Sequence, residues 1–271
     1  MKSSVRNSII KWMLIIFGIA IIIYPSVSQF LSSKNASKAI ASYDETIALT
    51  DEADRTAEFK AAEEFNNNLY LNKPVSNYAN LLSLNNSGMM GYITIPRLNI
   101  RIPFYHGTDE IILQKGVGHL EGSSLPIGGV NTHSVLTGHS GLPGSNLFTG
   151  LDKLKEGDGF TIKIMGRELN YKIDKIQTVL PDEVESLAIE KGKDFVTLIT
   201  CVPYGINSHR LLVRGERTAD TVYPENIPIV EKIIQIPAQY KHLFLGICLI
   251  IIFLIFRFIF KKILKRIKVK K

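Results

Sequence analysis

Cysteine is almost absent from this chain, with two in 271 residues. A disulfide-stapled secreted scaffold is therefore excluded, and no Cys/His spacing of the kind that holds zinc occurs. Acidic residues are missing from both ends. All 25 Asp and Glu lie between residues 31 and 240, where they face 20 Lys and Arg and leave a local net charge of −5. The other 12 basic residues sit on the two end segments and produce the overall +7. The basic C-terminal tail has no aromatic residues among its charges and abuts an apolar run, which argues against nucleic acid as a partner. Nothing in the sequence calls for a cofactor. No acidic cluster suited to a metal lies near the strand-rich motifs described below.

What is present at the ends is apolar. Trp12 to Ser33 carries no charge, and Lys2, Arg6 and Lys11 precede it. Leu243 to Phe260 is apolar apart from Arg257, and seven Lys and Arg follow. About 20 apolar residues are needed to span a bilayer as a helix, so residues 243–260 read as a transmembrane helix and 261–271 as a cytoplasmic tail. Residues 1–33 read as a membrane segment or signal anchor, and a signal peptide cleaved near Ser26-Val-Ser28 also fits. Basic residues beside both apolar runs place both termini in the cytoplasm, with the residues between them outside the cell.

Residues 34–87 are rich in Ala, Glu, Asp, Lys and Asn, with Tyr43, Ile47, Leu49, Phe59, Phe65 and Leu69 at roughly helical intervals. This pattern predicts one or two amphipathic helices acting as a solvated spacer, ending in a loop from Leu71 to Ser87. From Gly91 the texture changes to short apolar runs separated by Gly, Pro, Asn and Asp. Strands are predicted at 92–95, 100–105, 133–137, 159–165, 169–179, 196–201 and 210–215, with a brief helix at 148–154. Many short strands at this spacing predict a closed or nearly closed β-barrel over residues 88–220, joined by a linker at 221–242 to the second apolar segment.

The chemistry-bearing residues fall at strand ends. Cys201 closes an apolar strand and is followed at once by the breakers Pro203, Gly205 and Asn207. If the next strand pairs with it, Arg210 returns to the same rim. His139 follows the run 133–137 and opens a Gly/Pro-rich loop. Cys248 lies in the C-terminal apolar run, so Cys201 has no disulfide partner in the central region, and an unpaired extracellular thiol suggests use. A thiolate nucleophile, an imidazole and a fixed cation suit acyl transfer. A buried inert Cys beside a structural His fits the same spacing. His106 and His119 sit next to Gly in turns and read as structural. His209 alternates to the opposite face from Arg210. Arg214 shares the face of Arg210 but lies about 13 Å further along the strand.

Thr197-Leu-Ile-Thr-Cys201 resembles the TLxTC signature of sortases, and Pro203-Tyr-Gly-Ile-Asn-Ser-His-Arg210 with the following Leu-Leu-Val-Arg-Gly resembles the class C, pilin-polymerising branch. Gly91-Tyr-Ile-Thr-Ile-Pro96, Tyr105-His-Gly-Thr108, Gly116 to Gly129 and Thr137-Gly-His-Ser-Gly-Leu-Pro143 follow the family order, so the resemblance covers about residues 88–217. It implies an eight-stranded mixed barrel with short helices, mainly β, preceded by N-terminal helices and flanked by transmembrane segments. It also implies Cys201 as nucleophile, His139 as general acid/base and Arg210 as the cation that positions substrate and steadies the oxyanion. The implied partners are pilin subunits with an LPxTG-like sorting signal, the acceptor lysine of the next pilin, and the lipid bilayer of a Gram-positive cell. Attachment of surface proteins to the cell wall and a non-catalytic pilus-assembly module are the alternatives.

One departure stands out. Class C sortases typically carry a lid with an Asp-Pro-aromatic tripeptide in the active site, whereas Asn72-Lys-Pro-Val75 supplies neither the acid nor the aromatic. Lys73 cannot pair with Arg210, and Val75 cannot stack as a ring would. The expectation is a loop that leaves Cys201 accessible, with Tyr70 or Tyr78 as the available aromatic substitutes.

Overall fold

A computed structural model describes residues 2–83, 88–141, 144–145, 147–183 and 185–219, with side chains from residue 10 onward. Contacts divide the chain into Met1–Asn226 and Ile227–Lys271, and every described residue belongs to the first unit. The predicted C-terminal helix and tail lie outside the described residues.

Two helices lead into the barrel: α1, Lys2–Leu49, and α2, Glu52–Tyr70. Eight strands follow: β1 Met89–Ile95, β2 Ile100–His106, β3 Val117–His119, β4 Thr132–Thr137, β5 Gly159–Ile164, β6 Arg167–Val179, β7 Asp194–Val202 and β8 His209–Arg217. A short helix α3, Glu110–Lys115, crosses from β2 to β3. The strands close in the order β1-β2-β3-β4-β7-β8-β6-β5, with β5 returning to β1. The pairs β2–β3 and β4–β7 are parallel and the remaining ladders antiparallel, so the barrel is mixed. Closure leaves no free sheet edge. Seven of the strands coincide with the predicted runs. β3 was not among them, because its three residues, Val-Gly-His, are too few to show alternation. The predicted helix at 148–154 is reduced to a single 3₁₀ turn, Leu151–Lys153.

Alternation fixes which face each strand turns to the core. Val196 and Leu198 of β7 and Leu211 and Val213 of β8 belong to the hydrophobic interior, together with Phe104, Phe160, Ile162 and Tyr171. Phe160 and Tyr171 stack with ring centroids 5.5 Å apart. Gly215 makes room for them, since a Cβ there would stand 2.7 Å from the Phe160 ring. The other face of β7 and β8, which carries Ile199, Cys201, Arg210, Leu212 and Arg214, lies outside the barrel.

The helices correct the spacer expectation. Ile40, Tyr43 and Ile47 of α1 and Phe59, Ala62 and Phe65 of α2 are buried in the same core cluster as the barrel. Tyr43 Oη donates to the Met90 carbonyl at 2.7 Å and accepts the Met165 N–H at 2.8 Å. Asn66 binds both backbone groups of Leu125, donating to the carbonyl at 3.0 Å and accepting the N–H at 2.7 Å. The Arg167 guanidinium covers the Phe59 ring at 3.7 Å. Their apolar stripes are thus docking faces, hidden in the sequence by dense intervening charge. α1 runs unbroken through Pro25 and residue 33. From Ile10 it is long and apolar enough to cross a membrane, and none of its apolar window is buried in the protein.

Candidate active site

The backbone register gathers the three predicted site residues at one end of the barrel. Cys201 and Arg210 are direct partners across the antiparallel β7–β8 ladder. Directly opposed residues point to the same face, with Cβ atoms about 4.5–5.5 Å apart. On the other side of β7, the parallel β4 ladder pairs Thr137 with Ile199. The pairing continues past the end of β4: Gly138 N–H donates to the Ile199 carbonyl at 3.0 Å, and Thr200 Oγ1 donates to the Gly138 carbonyl at 2.8 Å. His139 therefore emerges beside Cys201. Along the backbone, Cys201 thus lies between Arg210 on β8 and His139, two residues past the end of β4.

Each member is available in a different way. Cys201 is a free, half-buried cysteine. Arg210 donates to the backbone carbonyls of Asn207 at 3.2 Å and His209 at 3.3 Å, and among the described residues it pairs with no carboxylate. His139 Nε2 is buried and faces Glu110 Oε2 at 3.5 Å. That separation permits ionic attraction but is too long for a good hydrogen bond. Glu110 opens α3, a contact the sequence did not reveal because 29 residues separate it from His139 and only the β2–β3 crossover brings it near.

Arg214, the alternative cation, is committed elsewhere. It pairs with Asp174 at 2.7 Å and Glu190 at 2.8 Å and lies over the Phe195 ring at 4.0 Å. His133 completes this outer support. One ring nitrogen, Nε2, lies 2.7 Å from Thr197 Oγ1 and the other, Nδ1, 2.9 Å from the Ala188 carbonyl. Because a carbonyl only accepts, Nδ1 carries the hydrogen in the neutral ring and Nε2 accepts from Thr197. Burial lowers the His133 pKa below its ordinary value. The segment before β7 is thereby tied to the face that carries Cys201. Neither His133 nor Tyr204 was singled out in the sequence. The exposed Tyr204 ring packs over the backbone of Gly141, bridging the β7–β8 connection to the segment that begins at His139.

The lid-like region is anchored away from this rim. Tyr78 Oη lies 2.9 Å from His119 Nδ1 and accepts the Gly107 N–H at 3.1 Å, while its ring stands edge-on to His106 at 5.1 Å. His119 Nε2 donates to the Ser124 carbonyl at 2.8 Å, which leaves Nδ1 of the neutral ring as an acceptor beside the Tyr78 hydroxyl, and Tyr78 Oη also donates to the His119 carbonyl at 3.0 Å. Complete burial lowers the His119 pKa to about 4. Tyr78 is thus a structural anchor for the loop. Residues 72–77, including Lys73, Pro74 and Val75, are exposed.

A closed mixed barrel that carries a free thiol, an imidazole and, among the described residues, a guanidinium without a carboxylate partner at one end defines a Cys-His-Arg barrel. The family described as Sortase domain matches residues 93–218. The sortase C of Clostridium perfringens, solved with the C-terminal cell wall sorting motif, is 46% identical; the match covers 69% of this chain and 100% of that one, with a TM-score of 0.64. A sortase C of Streptococcus pneumoniae, described in terms of pilin substrate specificity, is also 46% identical over 69% of this chain and 99% of its own, with a TM-score of 0.64. The chain belongs to the sortase family, and its homology is to the class C branch. Sortase D of Bacillus subtilis (strain 168) is 31% identical over 130 residues, so the chain spans 47% of its own length and 63% of that curated relative.

Proposed function

We propose that this chain is a membrane-anchored cysteine transpeptidase that joins pilin subunits. The observation that carries the reading is the register pairing of Cys201 with Arg210 beside His139. Class C relatives solved with a cell wall sorting motif and described for pilin specificity support the substrate class. Residues 88–220 form the catalytic domain, residues 1–33 anchor it, and residues 34–87 dock it. It faces the outside of a Gram-positive cell.

The chemistry follows from the residue types. The Cys201 thiolate attacks the Thr carbonyl of an LPxTG-like signal, forming the S–C bond. Arg210 donates to the oxyanion as the tetrahedral centre forms. His139 protonates the leaving Gly amine as the C–N bond breaks, giving an acyl-enzyme thioester. A pilin lysine amine then attacks the thioester carbon and passes its proton to His139. Sγ leaves as thiolate, and an isopeptide bond remains. Attack by a wall-peptide amine or by water would use the same first half-reaction.

The test is mass spectrometry of the protein incubated with an LPxTG-type peptide and a pilin domain, in parallel with Cys201→Ala. An acyl adduct on Cys201 followed by a lysine isopeptide product supports the reading. Pilin polymer formed equally by Cys201→Ala would sink it.

A further inference from the structure

α1 touches opposite ends of the barrel. Tyr43 binds Met90 at the start of β1 and Met165 just past the end of β5. Met165 opens the β5–β6 turn, and β6 runs from there, Arg167 to Val179, to pair Val179 with Arg210 at the rim, so this contact lies at the distal end. Earlier in α1, the Oγ atoms of Ser32 and Ser145 lie 3.1 Å apart, and Ser28 abuts Gly144. Gly144 and Ser145 belong to the segment that starts at His139. The helix therefore passes the rim first and the distal end later. Ser28 and Tyr43 are separated by about 22 Å at 1.5 Å per residue, comparable to the length of a six-residue strand.

The same helix fixes where a bilayer would lie. Trp12 to Leu31 is a charge-free run ended by Lys34 and Lys38, and 20 residues of helix measure about 30 Å, the thickness of the hydrocarbon core. Phe17, Ile22, Phe30 and Leu31 are exposed along it. Ser28 lies in the last turn of this run and Ser32 just beyond it. Across Gly141 stands Tyr204, 69% exposed, and two residues on is Ile206, 73% exposed. An aromatic with an apolar body and a polar tip suits the headgroup depth of a membrane.

We propose that the rim carrying His139, Cys201 and Arg210 faces the bilayer and sits in its outer headgroup layer, with Tyr204 and Ile206 in contact with lipid. This seating rests on reading residues 12–31 as the membrane span. It restricts the donor to a polypeptide whose cleavage site lies at the membrane surface and reaches Cys201 along the membrane plane. The acceptor approaches from the side.

The full chain in phosphatidylcholine/phosphatidylglycerol nanodiscs tests this by quenching of tryptophan fluorescence with TEMPO-labelled headgroups. Native Trp12, the only tryptophan, reports the span. In a Trp12→Phe background, Tyr204→Trp and Ile206→Trp report the rim, and Val130→Trp reports the exposed distal end just before β4. The expected result is quenching of Trp12, with both rim probes quenched at least two-fold more than the distal probe. Equal quenching at rim and distal end, with Trp12 still quenched, overturns the seating alone. An unquenched Trp12 overturns the span and the seating together. Rim quenching without a thioester on Cys201 supports the seating while removing the proposed chemistry. Two rim positions guard against one substitution disturbing the loop.

Discussion

The carboxylate of Glu110 stands 3.5 Å from Nε2 of His139, joining the first turn of the crossover helix to the imidazole beside Cys201. Glu110 is held in turn by the Gln114 side-chain amide at 3.1 Å. The carboxylate attracts the positive charge that the proposed mechanism places on the ring when it takes up a proton. Glu110 is 64% exposed, and exposed pairs are worth about 0.2–1 kcal/mol. Glu110→Gln is expected to slow thioester formation about two- to five-fold with little change in KM. Glu110→Asp should recover part of the loss, and salt near 1 M should narrow the difference between wild type and Gln by screening. An unchanged single-turnover rate at low salt would remove Glu110 from the site.

Arg210 and Arg214 share a strand face but differ in their partners, and substitution should separate them. Arg210 is free of carboxylates among the described residues, and with Nη1 on the Asn207 and His209 carbonyls its Nε and Nη2 hydrogens remain for substrate; Arg210→Lys is expected to cut the acylation rate by about 10²-fold, the scale of losing an oxyanion donor. Arg214 holds Asp174, Glu190 and Phe195. Arg214→Lys is expected to lower Tm by a few degrees, with acylation per folded molecule changing far less. Equal loss of acylation in both variants, at matched folded fractions, would contradict this division.

Much of the barrel was legible in the sequence because strand ends and breakers are local features, whereas the roles proposed for Cys201, His139 and Arg210 came from the sortase resemblance. Cys201 before Pro203 and His139 after Gly138 both mark where a strand stops. What escaped was non-local or too brief. β3 has only three residues, and the docking faces of α1 and α2 are split among charges that resemble a solvated helix until Tyr43 and Asn66 find backbone partners 122 and 59 residues away. Glu110, His133 and Tyr204 needed the topology before their neighbours existed. The absent lid tripeptide was readable as chemistry, but the anchoring of Tyr78 to His119 required the fold.

Lys73, Pro74 and Val75, just before that anchor, are exposed. Native Cys201 is therefore expected to react with iodoacetamide at nearly the same rate after deletion of residues 72–76, a segment that excludes Tyr78. Restoring an acid and an aromatic, Lys73→Asp with Val75→Trp, gives the loop a carboxylate for Arg210 and a ring for the rim, and should slow alkylation about ten-fold. Marked acceleration on deletion would show that the native segment already shields Cys201.

His119 gives the barrel a defined acid sensitivity. Its pKa falls from the ordinary 6.5 to about 4 because full burial disfavours the imidazolium, and the Ser124 hydrogen bond offsets this only in part. Between those values the unfolded chain binds the proton and the folded chain does not, so stability rises with pH across this window and is lost as pH falls from about 6.5 toward 4. The full span corresponds to about 3 kcal/mol at 1.36 kcal/mol per pKa unit. Burial lowers the pKa values of His106 and His133 in the same direction, so they add to the slope. Urea unfolding at pH 7.0, 6.0 and 5.0 should show falling stability. His119→Gln, which retains an amide donor and acceptor, should flatten part of that fall even if it lowers stability at pH 7. An identical pH slope in the Gln variant would mean that His119 is not the group responsible.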